Sequence, residues 1–66
     1  MSSSAAELSS LATALEELAK RVVSIADGYA AARREDLATE LYGVERQLTN
    51  SLRRISKVTR AEGVTR

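Results

Sequence analysis

The sequence contains no cysteine, histidine, proline, tryptophan or phenylalanine. Without cysteine there is no disulfide framework, and without cysteine and histidine there is no zinc-finger ligand spacing. Nucleophilic thiol chemistry, a Ser–His pair and imidazole acid–base catalysis are excluded with them. Carboxylates remain, but paired-carboxylate catalysis needs a pocket that shifts their pKa values, and 66 residues can hardly wall one off. The absence of proline leaves helices uninterrupted. No apolar run approaches the ~20 residues of a membrane span. The start, MSSSAAELSS, has neither a basic segment nor an apolar stretch of signal-peptide type. These absences predict a cytoplasmic, non-enzymatic protein that takes no cofactor, no metal and no membrane.

What is present is alanine, leucine and charge. The net charge is +1, unevenly distributed. Residues 1–45 carry four basic and eight acidic side chains, and residues 46–66 carry six basic and one acidic. An anionic partner is therefore sought at the C-terminal end.

The apolar residues Leu8, Leu11, Leu15, Leu18, Val22, Ile25, Tyr29 and Ala32 step alternately by three and four. With Leu8 at a and Leu11 at d, this is an unbroken heptad pattern. It runs straight through Asp27-Gly28, a dipeptide that local propensity would choose as a turn. A second pattern runs Leu37, Leu41, Val44, Leu48, Leu52, Ile55 and Val58, with Ser51 at one expected d position and Leu52 beside it supplying the bulk. Folded back on each other, the two patterns pair residues whose position numbers add to 69 or 70. Leu11 meets Val58, Ile25 meets Val44 and Val22 meets Leu48. The mirror lies at positions 34–35. Centred on Gly28 instead, the reversal would set Val22 against Arg34 and bury a charge on an apolar residue. Dipole placement agrees, with Arg33 and Arg34 ending one helix and Glu35 and Asp36 opening the next.

The expected fold is all-α, a single domain over residues 1–66. It is an antiparallel, coiled-coil-like two-helix hairpin, with helix 1 at about 5–33, the turn at about 33–36 and helix 2 at about 36–62. Ser4 with Glu7 three residues on reads as a capping box, and Gly63 as the C-cap of helix 2. The a and d residues are expected to face inward. A lone hairpin of this size is marginal, because ordering costs roughly 1.5 kcal/mol per residue. A second apolar stripe is therefore assigned to dimerisation into a four-helix bundle. That stripe is Ala5, Ala12, Ala19 and Ala26 at position e, widened by Val23 and Ala30, with Ala38 and Leu52 on helix 2. The predicted oligomer interface is Ala12, Ala19, Val23, Ala26, Ala30 and Leu52.

Two further features suggest a partner site. Arg46, Arg53 and Arg60 share position f, flanked by Arg54 and Lys57, so helix 2 carries a basic ridge able to follow phosphates. The ridge lacks the aromatic stacking partners of single-strand binders and any helix-turn-helix pattern. Gly28-Tyr29 and Tyr42-Gly43 form inverted dipeptides at one level of the hairpin. This suggests either close approach of another helix or a groove anchored by Tyr42, which is expected to face outward. The candidate partner site is Tyr42, Gly43, Arg46, Arg53, Arg54, Lys57 and Arg60. Gln47, Thr49, Asn50 and Ser51 form a polar strip on the same helix, with Ser51 suited to setting register.

YAAARREDLATELY resembles, over about fourteen residues, the inter-repeat turn of tetratricopeptide proteins, without their 34-residue period or Trp-Leu-Gly signature. The hairpin also resembles small secreted helical hairpins, whose Trp-x-Gly turn is replaced here by Arg-Arg-Glu-Asp. Neither resemblance identifies a family. The function expected is a non-enzymatic, homodimeric interaction or adaptor module that presents helix 2 to a protein partner. The alternatives are weak nucleic-acid binding through the basic ridge and a small-molecule sensor at a dimer interface.

Overall fold

A computed structural model describes the backbone of residues 3–64 and the side chains of residues 4–62. It contains two helices, α1 (Ser3–Ala31) and α2 (Glu35–Val64), packed along their length into a hairpin with Cα extents of 51 × 14 × 9 Å.

The chain reverses at residues 32–34, one to two residues before the expected 33–36, sharing Arg33 and Arg34 with the charged segment and beginning four residues beyond Gly28. Helix α1 closes in a Schellman arrangement. The amide of Arg34 donates to the Tyr29 carbonyl at 2.8 Å, and the amide of Arg33 donates to the Ala30 carbonyl at 3.1 Å. Such a closure needs a left-handed residue, and Arg33 fills it with φ of 65° where glycine is usual. Arg34 then opens α2, its carbonyl accepting from the Ala38 amide, and its side chain pairs with Asp36 at 3.5 Å. Glu35 and Asp36 occupy the first turn of α2, where the helix dipole favours anions. Gly28 remains within α1. Its φ is not positive, and its carbonyl accepts from the Ala32 amide at 3.1 Å.

The helix ends differ modestly from expectation. Helix α1 starts at Ser3, which places Ser4 inside its first turn rather than before it. Helix α2 continues through Gly63 to Val64, so Gly63 does not end it. Arg66, which trails the basic residues of helix 2 in the sequence, lies outside the described residues.

The rotation of the helices is the main correction. The expected a/d face is not the contact face. Among the described residues, those closed off from solvent are Ala19, Ala26 and Ala38, at 8%, 0% and 2% exposure, and all three are at position e. Around them the a residues Leu8, Leu15, Val22, Leu41, Leu48 and Ile55 are half-buried, as are Ala12, Val23, Ala30 and Leu52. The d residues are only about half covered: Leu11, Leu18, Ile25, Val44 and Val58 are each more than two-fifths exposed, while Leu37 beside the turn is half-buried. The hairpin therefore closes on a and e. Of the residues assigned from sequence to a second interface, Ala19 and Ala26 are sealed within the chain, and Ala12, Val23, Ala30 and Leu52 lie half-buried beside them. The physical reason is side-chain size. Alanines at one level after another let two helices approach closely, and close approach multiplies dispersion contacts along both backbones. The leucines at a then straddle the contact from the side.

Candidate interaction surfaces

With both helices turned onto a and e, the hairpin presents three distinct surfaces. The first is the half-exposed apolar row. In an antiparallel pair, equivalent heptad positions of the two helices fall on the same side. Leu11, Leu18 and Ile25 of α1 therefore share one flank of the hairpin with Val44, Ser51 and Val58 of α2. Tyr29, 38% exposed, continues this flank toward the turn. The levels read Leu11 beside Val58, Leu18 beside Ser51 and Ile25 beside Val44. The half-buried leucines at a lie between them. Five large aliphatic side chains on one narrow flank make a contiguous patch rather than scattered surface residues.

The second surface is the opposite flank. Here an open groove is lined by Ala19, Val23 and Leu52, with Glu16, Lys20, Glu45 and Thr49 along it. The Thr49 hydroxyl donates to the Glu45 carboxylate at 2.9 Å, which gives a half-buried acid a partner. Further along this flank, the Tyr42 hydroxyl donates to Asp27 Oδ1 at 2.5 Å and links the two helices. That hydrogen bond, with burial and the Asp27 negative charge adding to it, pushes the Tyr42 phenol above its ordinary pKa of 10.0.

The expectation for the two tyrosines is thereby reversed. Tyr42 is half-buried and tied to α1, whereas Tyr29, expected in the contact, is exposed. The glycines do not serve close approach within the chain. A Cβ at Gly28 would meet nothing within 4 Å, and one at Gly43 would meet only Arg46 Nη2 at 3.9 Å.

The third surface is the outer side of α2. Arg46, Arg53, Lys57 and Arg60 are exposed there with Asn50, and Gln47 and Arg54 stand exposed between this side and the first flank. Gly43, Arg46, Gln47, Asn50 and Arg53 border a shallow open depression along this side. Tyr42 does not join them as an outward anchor.

Among the described residues, no group of three or more His, Cys, Asp or Glu is placed to hold a metal ion. Neither helix is long and apolar enough over the described residues to cross a membrane. No protein-family model, curated protein or solved structure matches this chain.

The exposed row could have been found by comparing the e positions with the d positions before assigning the contact. Alanine at every e of α1 is the signal of a close helix pair. It was visible in the sequence, but as a second stripe rather than the first.

Proposed function

We propose that this chain is a non-enzymatic interaction module. Hairpins pair as a homodimer into a four-helix bundle, and the outer side of α2 is presented to a protein partner. The observation that carries this reading is the half-exposed row Leu11, Leu18, Ile25, Val44 and Val58. Burying apolar surface stabilises by about 25 cal/mol per Å², and a hairpin in which no large side chain among the described residues is fully buried leaves much of that stabilisation unused. A small two-helix unit gains most by covering such a row with another helix pair.

Sedimentation velocity across a dilution series tests the assembly. A dimer that dissociates on dilution with loss of helicity is the expected result. A folded monomer at the highest concentration overturns the reading.

The second reading is nucleic-acid binding, favoured by five exposed basic side chains on α2. Counterion release would make it steeply salt-dependent. It ranks second because the ridge has no aromatic platform for bases. A pull-down from native lysate with and without nuclease separates the two: a protein partner survives nuclease and a nucleic acid does not. A ligand sensor is the third reading. Both grooves on the single chain are open, so such a site would be completed by the partner chain, and a ligand-dependent thermal shift would detect it.

A further inference from the structure

We infer that the second copy seats on the d-row flank in one particular orientation. Helix α1 of each chain lies along α2 of the other, with both turns at the same end. This rests on the homodimer reading and names the surface and symmetry that the reading leaves open.

The choice of flank follows from exposure. The alanine stripe is already consumed within the chain, with Ala26 at 0% and Ala19 at 8%, whereas Leu18 and Ile25 stand at 44% and 56%. The row runs about 21 Å along each helix at ~1.5 Å per residue, and the side of the hairpin that carries it measures 51 Å by 14 Å. Such a footprint is of the order of the ~800 Å² per partner that a standard interface needs.

A second copy fits this flank better than an anionic surface. The residues bordering the row at position g are Glu7 and Arg21 on α1 and Glu40 and Arg54 on α2, two acids and two bases. A balanced border offers no net attraction to phosphate headgroups. Against another copy in the stated orientation, the same border meets without a like-charge pair. Glu7 lies at the level of the partner's Ala61, Arg21 at the partner's Gln47, Arg54 at the partner's Ala14 and Glu40 at the partner's Gly28.

Orientation follows from volume. Away from the turn the α1 row is bulky (Leu11, Leu18, Ile25) and the α2 row is thin (Val44, Ser51, Val58); beside the turn the order inverts, with Ala32 thin and Leu37 bulky. A two-fold axis parallel to the helices sets each bulky residue against a thin one: Leu11 on the partner's Val58, Leu18 on the partner's Ser51 and Ile25 on the partner's Val44. Every layer then holds the same kind of pair, and the helices stay evenly spaced. The end-to-end two-fold sets bulky on bulky along α1 and thin on thin along α2. That would splay one side of the bundle and leave a gap at Ser51 on the other. Ser51 therefore acts as the hole that receives the partner's Leu18.

The cysteine-free sequence makes the test direct. Leu18→Cys and Ser51→Cys are prepared in separate chains, their dimerisation is checked by sedimentation, and each is oxidised alone and mixed one to one. The expected result is a disulfide-linked species in the mixture, several-fold above either chain alone, because facing positions come within the 4.4–6.8 Å Cα separation that a disulfide needs. Efficient linkage of Leu18→Cys alone would establish the end-to-end arrangement and overturn the inference. A dimer by sedimentation with no linkage in any sample would place the contact on another surface and also overturn it, leaving the homodimer itself intact. A folded monomer by sedimentation would remove both and leave the row to a foreign helix.

Discussion

Ile25 and Ala26 are neighbours in sequence, and the structure treats them as opposites. Ala26 is sealed from solvent; Ile25 is more than half exposed. The larger and more hydrophobic residue is outside. The contrast extends along α1, where alanines at e face α2 while leucines and isoleucine at d do not. It shows that within this hairpin the closeness of the backbones outweighs the hydrophobicity of individual side chains. A row of alanines makes a poor apolar stripe by area and a good one by fit. The row left outside then has its own use, as the surface on which assembly is proposed.

The strongest way to break this contrast is to enlarge the sealed position. Ala26→Leu should overpack the contact and destabilise the hairpin by about 1–3 kcal/mol, read from urea denaturation. The neighbouring exchange Ile25→Leu should leave stability within about 0.5 kcal/mol. Equal effects at the two sites would show that the assignment of inside and outside is wrong.

The exposed row gives the next effect. Leu18→Glu should weaken self-association at least tenfold in sedimentation equilibrium, which is about 1.4 kcal/mol. The same change should cost the isolated hairpin less than it costs the dimer, since Leu18 is 44% exposed in the single chain. Loss of the hairpin fold under conditions where the parent protein is monomeric would place Leu18 in the intrachain contact after all.

The turn aligns both faces, and its weak point is Arg33. Replacing it by glycine should stabilise by about 1 kcal/mol, because the left-handed conformation then carries no Cβ clash. Gly28→Ala should add up to about 1 kcal/mol through helix propensity, without altering assembly, as the new methyl meets open space within the chain. A weaker dimer in this variant would show that the partner approaches closely at Gly28.

The smallest expected effect is at Tyr42. Its phenol is held protonated by the bond to Asp27, so its folded pKa lies above the unfolded value near 10.0. The contribution to stability is complete below pH 10 and is lost as pH rises through the folded pKa. Absorbance titration should show Tyr42 ionising late, and Asp27→Asn should bring it back toward the ordinary range. No change between the two titrations would mean that the cross-helix bond does not persist in solution.

Much of this was legible in advance, for a reason that also set the limit. The mirrored spacing of apolar residues located the reversal near Arg34, against the pull of Asp27-Gly28, because pairing by level depends only on position along the chain. Rotation about each helix axis leaves those levels nearly unchanged: a pairs with a, d with d and e with e on either face. The spacing was therefore silent on which face closes. The tie of Tyr42 to α1 follows from that one ambiguity, as does the sealing of Ala19 and Ala26 within the chain. The outer position of Arg46, Arg53 and Arg60 survived it, because position f lies away from both candidate faces.

The amino-acid sequence by itself determined two helices, their antiparallel pairing and the place of the turn, since heptad spacing, charge at the helix ends and the absence of proline all act along the chain. The tertiary structure decided which stripe is core and which is surface. Both stripes are apolar, both repeat every seven residues, and only the fit of two real surfaces distinguishes a row that two backbones can close upon from a row that keeps them apart.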